Sequence, residues 1–181
     1  MNQALGLFKP FIGIGLLQVA PQALPASRFL LGLTLTGYLG VLLIAYGMRY
    51  GFAATLIAAV AEAGMLAAFV AILLTISGKP ERQLQTLCAL YGCGAVLGFL
   101  LLPVNAWFLN AVESDTVTGL HTLAWLFLAA WEILIRTHVF RHALERGWFN
   151  AMVYSVLYFW LGFRIMPALL EALGGMDPPA S

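Results

Sequence analysis

Apolar residues run along this chain in five long stretches, over residues 29–48, 52–76, 83–104, 119–139 and 149–173. About 20 apolar residues at a 1.5 Å rise cover a hydrocarbon core of ~30 Å, so each stretch has the length of a transmembrane helix. The pattern predicts an all-α, polytopic membrane protein with five transmembrane helices, preceded by an N-terminal interfacial or re-entrant segment over residues 1–27.

Glycine, proline and charged residues mark where each stretch begins and ends. Residues 1–27 are apolar but broken by Lys9, Pro10, Gly13, Gly15, Pro21 and Pro25, and Lys9 interrupts what would be the h-region of a signal peptide. Leu5, Phe8, Phe11, Ile12 and Leu16 recur at roughly helical spacing, which suits a helix at the membrane surface with Lys9 among the headgroups. Arg49-Tyr50-Gly51 leaves room only for a tight hairpin. Gly78 suits the positive φ after a helix end, Pro80 a first helical position and Glu81 the next helix dipole, so residues 77–82 are expected to turn sharply. Pro103 is expected to end the third span, with Trp107 as an interfacial anchor. Gly147 ends the fourth and Gly174-Gly175 the fifth, so the membrane domain spans 28–175 and 176–181 form a loose tail.

Small residues four apart predict close helix packing along Gly32, Thr36 and Gly40, along Ala59, Ala63 and Ala67, and at the pair Gly94 and Gly98. Composition agrees with the pattern: only 9% of the 181 residues are charged, against about 25% in soluble domains, so the bilayer must solvate most of the surface. A net charge of +1 gives no pull toward nucleic acid. Cys88 and Cys93, five apart on a helix, fall on different faces and are expected as buried thiols.

Charge asymmetry orients the chain. With the loop bearing Glu113 and Asp115 outside, Lys9, Arg28, Lys79, Arg82, Arg136, Arg141 and Arg146 lie inside and only Arg49 outside. The positive-inside rule then places the N-terminus in the cytoplasm and the C-terminus outside.

Charges within spans cost roughly 2.5–3.5 kcal/mol each on insertion scales, so each needs an explanation. Glu62 and Arg164 match in depth and are expected to form an intramembrane ion pair, with Glu132 paired to Arg136 or reached by water. His138 and His142 share a helical face at a spacing that can hold zinc, but no clear third ligand accompanies them, and solvated basic residues near headgroups are the expectation. All three histidines lie on the fourth span, which leaves no second helix for a bis-histidine haem. No phosphate-binding loop, zinc-protease motif or nucleophile elbow occurs. Neither a cofactor nor an enzymatic activity is expected.

The segment from Met65 to Val104 resembles the central hairpin of bacterial Yip1-type membrane proteins: an apolar helix, a short basic turn with glycine, then a helix opening with polar residues. Trp131 to Leu144 and the span after it are similar to that family's fourth and fifth helices. The resemblance implies five spans and no assigned activity. The acidic N-terminal motif of the eukaryotic members, which are tied to small-GTPase binding, is missing.

These readings converge on a non-enzymatic inner-membrane protein. It would organise a complex or the local bilayer through a basic cytoplasmic face of Lys79, Arg82, Arg141, His142 and Arg146, with Arg136 at its edge. The expected partners are the lipid bilayer and another membrane protein or a second copy. Two alternatives stand beside it: a homo-oligomeric channel or carrier lined by Glu62, Glu132 and Arg164, and an accessory subunit binding lipid or quinone among the aromatic residues.

Overall fold

The structure is a computed structural model that describes residues 2–173, with side chains from residue 9 onward. The expected stop at Gly174-Gly175 and the tail 176–181 lie outside the described residues. The chain forms α1 (Asn2–Gly15), α2 (Arg28–Gly47), α3 (Phe52–Ile76), α4 (Gln83–Glu113), α5 (Gly119–Leu144) and α6 (Trp148–Ala172), with short 3₁₀ turns at Pro21–Ala23 and Pro80–Arg82. Helices α2 to α6 are long and apolar enough to cross a membrane, which makes this a multi-pass membrane protein.

Two helix ends differ from expectation. Pro103 does not end the third span: α4 runs through it for 31 residues to Glu113. A proline inside a helix removes one N–H and crowds one carbonyl, and the residues that follow, Val104 to Leu109, remain largely apolar and keep the helix going. At about 46 Å, α4 exceeds the hydrocarbon thickness and must tilt or project. Helix α5 carries its basic end as helix to Leu144, as the shared face of His138 and His142 implies, and stops where Glu145 turns left-handed at φ 52°, before the expected break at Gly147. Gly147 then caps the start of α6 rather than breaking α5. Gly78 takes its positive φ of 71°.

Helix α4 is the spine. A Cβ on Gly94 would stand 2.7 Å from the Tyr38 ring, and one on Gly98 2.7 Å from Val41, so this glycine pair seats α2 within the same chain. The face of α2 turned inward carries Leu30, Thr34 and Tyr38. The stripe Gly32, Thr36 and Gly40 points elsewhere, because a Cβ on either glycine would meet nothing within 4 Å. Two sets of residues four apart fit α2 equally well, and the bulk of Tyr38 selects the one that packs. On α3, Ala59 and Ala63 are buried and Ala67 is half-buried, as expected, and the Ala63 carbonyl accepts the Tyr91 hydroxyl at 2.7 Å.

Helix α1 is integral to the core. Phe11 and Ile14 are buried, with Phe11 pressed so close to Gly92 that a Cβ there would overlap its ring. Gly15 meets Leu97, farther along α4. The chain then reverses at Leu17, which adopts φ 61°, and the N–H groups of Gln18 and Val19 both return to the Gly13 carbonyl. Val19 reaches His138, and Gln22 reaches the carbonyl of His142 near the end of α5. This path, in along α4 and back beside α5, forms a hairpin packed on both helices.

Candidate functional site

Near the middles of α2, α3, α5 and α6 lies a cluster of polar side chains. Glu62 accepts hydrogen bonds from Tyr38 at 3.1 Å and Tyr46 at 2.5 Å. A phenol donating to a carboxylate makes a charge-assisted bond, which offsets part of the cost of placing that carboxylate among apolar helices. Glu132 pairs with Arg136 at 2.5 Å, one turn apart on α5. The Arg136 guanidinium also lies over the ring of Tyr158, 4.9 Å from its centroid. The Tyr158 hydroxyl is buried and has no hydrogen-bond partner.

The expected pair of Glu62 with Arg164 is absent: Glu62 is held by two tyrosines, and Arg164 sits exposed on α6 with no ion-pair partner among the described residues. Depth-matching of charges overlooked that neutral phenols can satisfy a carboxylate. Tyr38 and Tyr46, eight apart on the helix preceding Glu62, were the signal in the sequence. The second expectation, Glu132 with Arg136, is met.

The cluster lines one part of a partly open cleft of about 560 Å³ whose walls come from α2, α3, α4, α5 and α6. Its walls are mostly apolar and aromatic, with Tyr46, Trp125, Trp131, Phe159 and Phe163 among them. Toward the end of the bundle carrying Arg49 and the loop after α4, the lining includes Arg49, Asn105, Trp107 and His121. Trp107 stacks on the His121 imidazole with centroids 3.9 Å apart, and the Thr118 N–H donates to Nδ1 of that ring at 3.1 Å. Trp107 therefore works as a cleft wall as well as lying near a helix end. Arg164 is not in the lining.

The opposite end of the bundle is stitched shut by polar side chains. Arg82 donates to the carbonyls of His142 and Ala143 at 3.3 and 3.2 Å, which closes the C-terminal end of α5. Arg82 also pairs with Glu145 at 2.5 Å, and Lys79 pairs with the other oxygen of that carboxylate. Those two bonds hold the Glu145 carboxyl down at about 2, well below the ordinary carboxylate value. Gln85 donates to the carbonyls of Gln22 and Leu24. His138 is buried, with Nε2 donating to Val19 at 2.9 Å, so it is a structural tie of the hairpin and not a solvated surface base.

The basic face is accordingly reduced. Lys79 and Arg82 are engaged by Glu145, Arg136 is buried in the cluster, and Arg141 stacks toward Trp148 at 5.9 Å. The His142 ring leans edge-on against His138. No group of three or more metal-ligating side chains occurs among the described residues. Cys88 and Cys93 are buried free thiols directed at backbone carbonyls of Ser27 and Phe11. Compared with known proteins, the chain matches no family model, no curated protein and no solved structure at a significant level.

Proposed function

We propose that this protein binds a small amphipathic molecule in this cleft, with the polar end of the molecule at Glu62, Glu132 and Arg136. The observation that carries this reading is a cavity of about 560 Å³ lined by Glu62, Glu132 and Arg136, with the Glu132 side chain 53% exposed. Polar side chains at membrane depth are costly unless paired, and the polar end of a ligand can serve them. Volume and chemistry fit the general form of ligand sites, a mostly apolar concavity with a few convergent polar groups. An organising role through the basic face draws less support, because Lys79 and Arg82 are engaged internally by Glu145.

The proposal includes a place. The bases at the stitched end suit the cytoplasmic side of a bacterial inner membrane, with the N-terminus inside, the C-terminus outside and the cleft mouth facing outward. A reporter at the C-terminus should score as external, and a cytoplasmic score overturns the orientation. Kinship with Yip1-type proteins belongs to the same proposal and rests on the hairpin of α3 and α4.

The test of binding is extraction. Protein purified in mild detergent should carry a solvent-extractable small molecule visible by mass spectrometry. Gly162→Trp should remove it by filling the cleft, since a Cβ on Gly162 meets only Met65 at 3.7 Å and the residue lines the cavity. Identical extracts from the wild type and the filled variant would refute the reading.

A further inference from the structure

We infer that the molecule taken by the cleft is a lipophilic organic cation, bound in exchange for a proton. The inference rests on the cleft being a ligand site, as proposed above, and adds the charge of its occupant.

Charge balance is the first argument. Three charged side chains meet where the cluster lines the cleft, Glu62, Glu132 and Arg136. Arg136 answers Glu132, and no Lys, Arg or His lies within ion-pair distance of Glu62 among the described residues. The other basic side chains in the lining are Arg49, which lies over the ring of Tyr50, and His121, which stacks on Trp107. This part of the cleft therefore holds one negative charge more than its own cations cover. An uncovered charge is expensive at membrane depth, and a proton or a bound cation relieves that cost.

Access and wall chemistry give the second. Glu132 keeps 53% of its side chain exposed, and only its Oε1 is engaged within the protein. The lining also includes Trp125, Trp131, Tyr46 and Phe163, side chains of the kind that attract organic cations. The apolar walls, with no cluster of three metal-ligating side chains among the described residues, argue against an inorganic ion, and the acid excess argues against an anion.

The exchange balances without a further reactant. In the empty cleft the proton sits on Glu62, beside Tyr38 and Tyr46. When the cation arrives, the carboxylic O–H bond breaks, the proton passes to cleft water and the carboxylate pairs with the cation. Leaving reverses each step. The groups facing Glu62 are Tyr38 and Tyr46, and those facing Arg136 are Glu132 and Tyr158. His121 and Arg49 also line the cleft. A tyrosine hydroxyl both donates and accepts, so it can turn to serve either state of Glu62.

Equilibrium dialysis of the full-length protein in detergent tests this with tetraphenylphosphonium, its size-matched anion tetraphenylborate and neutral triphenylphosphine oxide. Gly162→Trp serves as the partitioning baseline. The cation alone should bind above that baseline, about tenfold more weakly in Glu62→Gln and more weakly as pH falls from about 8 to about 5. Should Glu62→Gln fail to fold, wild-type protein in weak buffer should still release about one proton per cation bound, and no release overturns the exchange. Saturable binding of the borate or the oxide without the cation refutes the charge assignment and leaves the cleft as a site. Binding of none of the three above the filled variant counts against this inference, and identical solvent extracts are then what refutes the site itself.

Discussion

Tyr38 lays its ring across Gly94, so close that a Cβ on the glycine would stand 2.7 Å from the ring edge. The same tyrosine donates to Glu62 at 3.1 Å. An absent side chain on α4 thereby sets a hydrogen bond received on α3. Gly94→Ala should cost about 1–3 kcal/mol by overpacking and lower the melting temperature in detergent. Gly32→Ala and Gly40→Ala, which meet open space, should be neutral or gain up to about 1 kcal/mol from helix propensity. Equal losses at all three positions would mean that α2 packs through its other face.

Glu145 gathers Lys79 and Arg82 from the turn between α3 and α4, which lowers its carboxyl from the ordinary 4.5 to about 2. A depressed folded-state value stabilises fully above the unfolded value, and that contribution is lost as pH falls toward the folded one. Wild-type protein should therefore melt higher than Glu145→Gln at pH above about 5, with the gap narrowing as pH approaches about 2. A gap that stays constant over that window would show that the carboxylate charge is not what closes this end.

Glu132 and Arg164 should respond in opposite ways to neutralisation. Glu132→Leu strands the buried Arg136 guanidinium and should cost about 3 kcal/mol, the low end for a broken buried pair because Glu132 is itself half-exposed. Arg164→Gln, exposed and without an ion-pair partner among the described residues, should change stability by less than about 0.5 kcal/mol. Reversible unfolding in mixed detergent reads both, and a large loss at Arg164 would reinstate the pair with Glu62.

Tyr158→Phe removes a buried hydroxyl that nothing in the protein satisfies. In ligand-free protein the change should be neutral or raise stability by up to about 1 kcal/mol, since an unmet polar group disappears without leaving a cavity. A destabilised empty protein would point to an internal partner for that oxygen.

The five spans were legible because long apolar runs bounded by Arg28, Gly51, Gly78 and Gly147 leave a membrane chain few alternatives. The passage of α4 through Pro103 was not legible, since proline reads as a helix stop and only packing reveals when one lost bond is tolerated. In the cluster, Glu132 with Arg136 could be read from their spacing of four. The tyrosine clasp on Glu62 could not be read by matching charges, because phenols carry none. The burial of His138 depended on a hairpin that returns from more than a hundred residues away, a relationship no local pattern records.

The seating of α1 has a consequence for biogenesis. Phe11 needs Gly92 and Cys93, and Val19 needs His138, residues that leave the ribosome 82 and 119 positions after their mates. The α1 segment, made first, therefore completes its packing only once α4 and α5 have been synthesised.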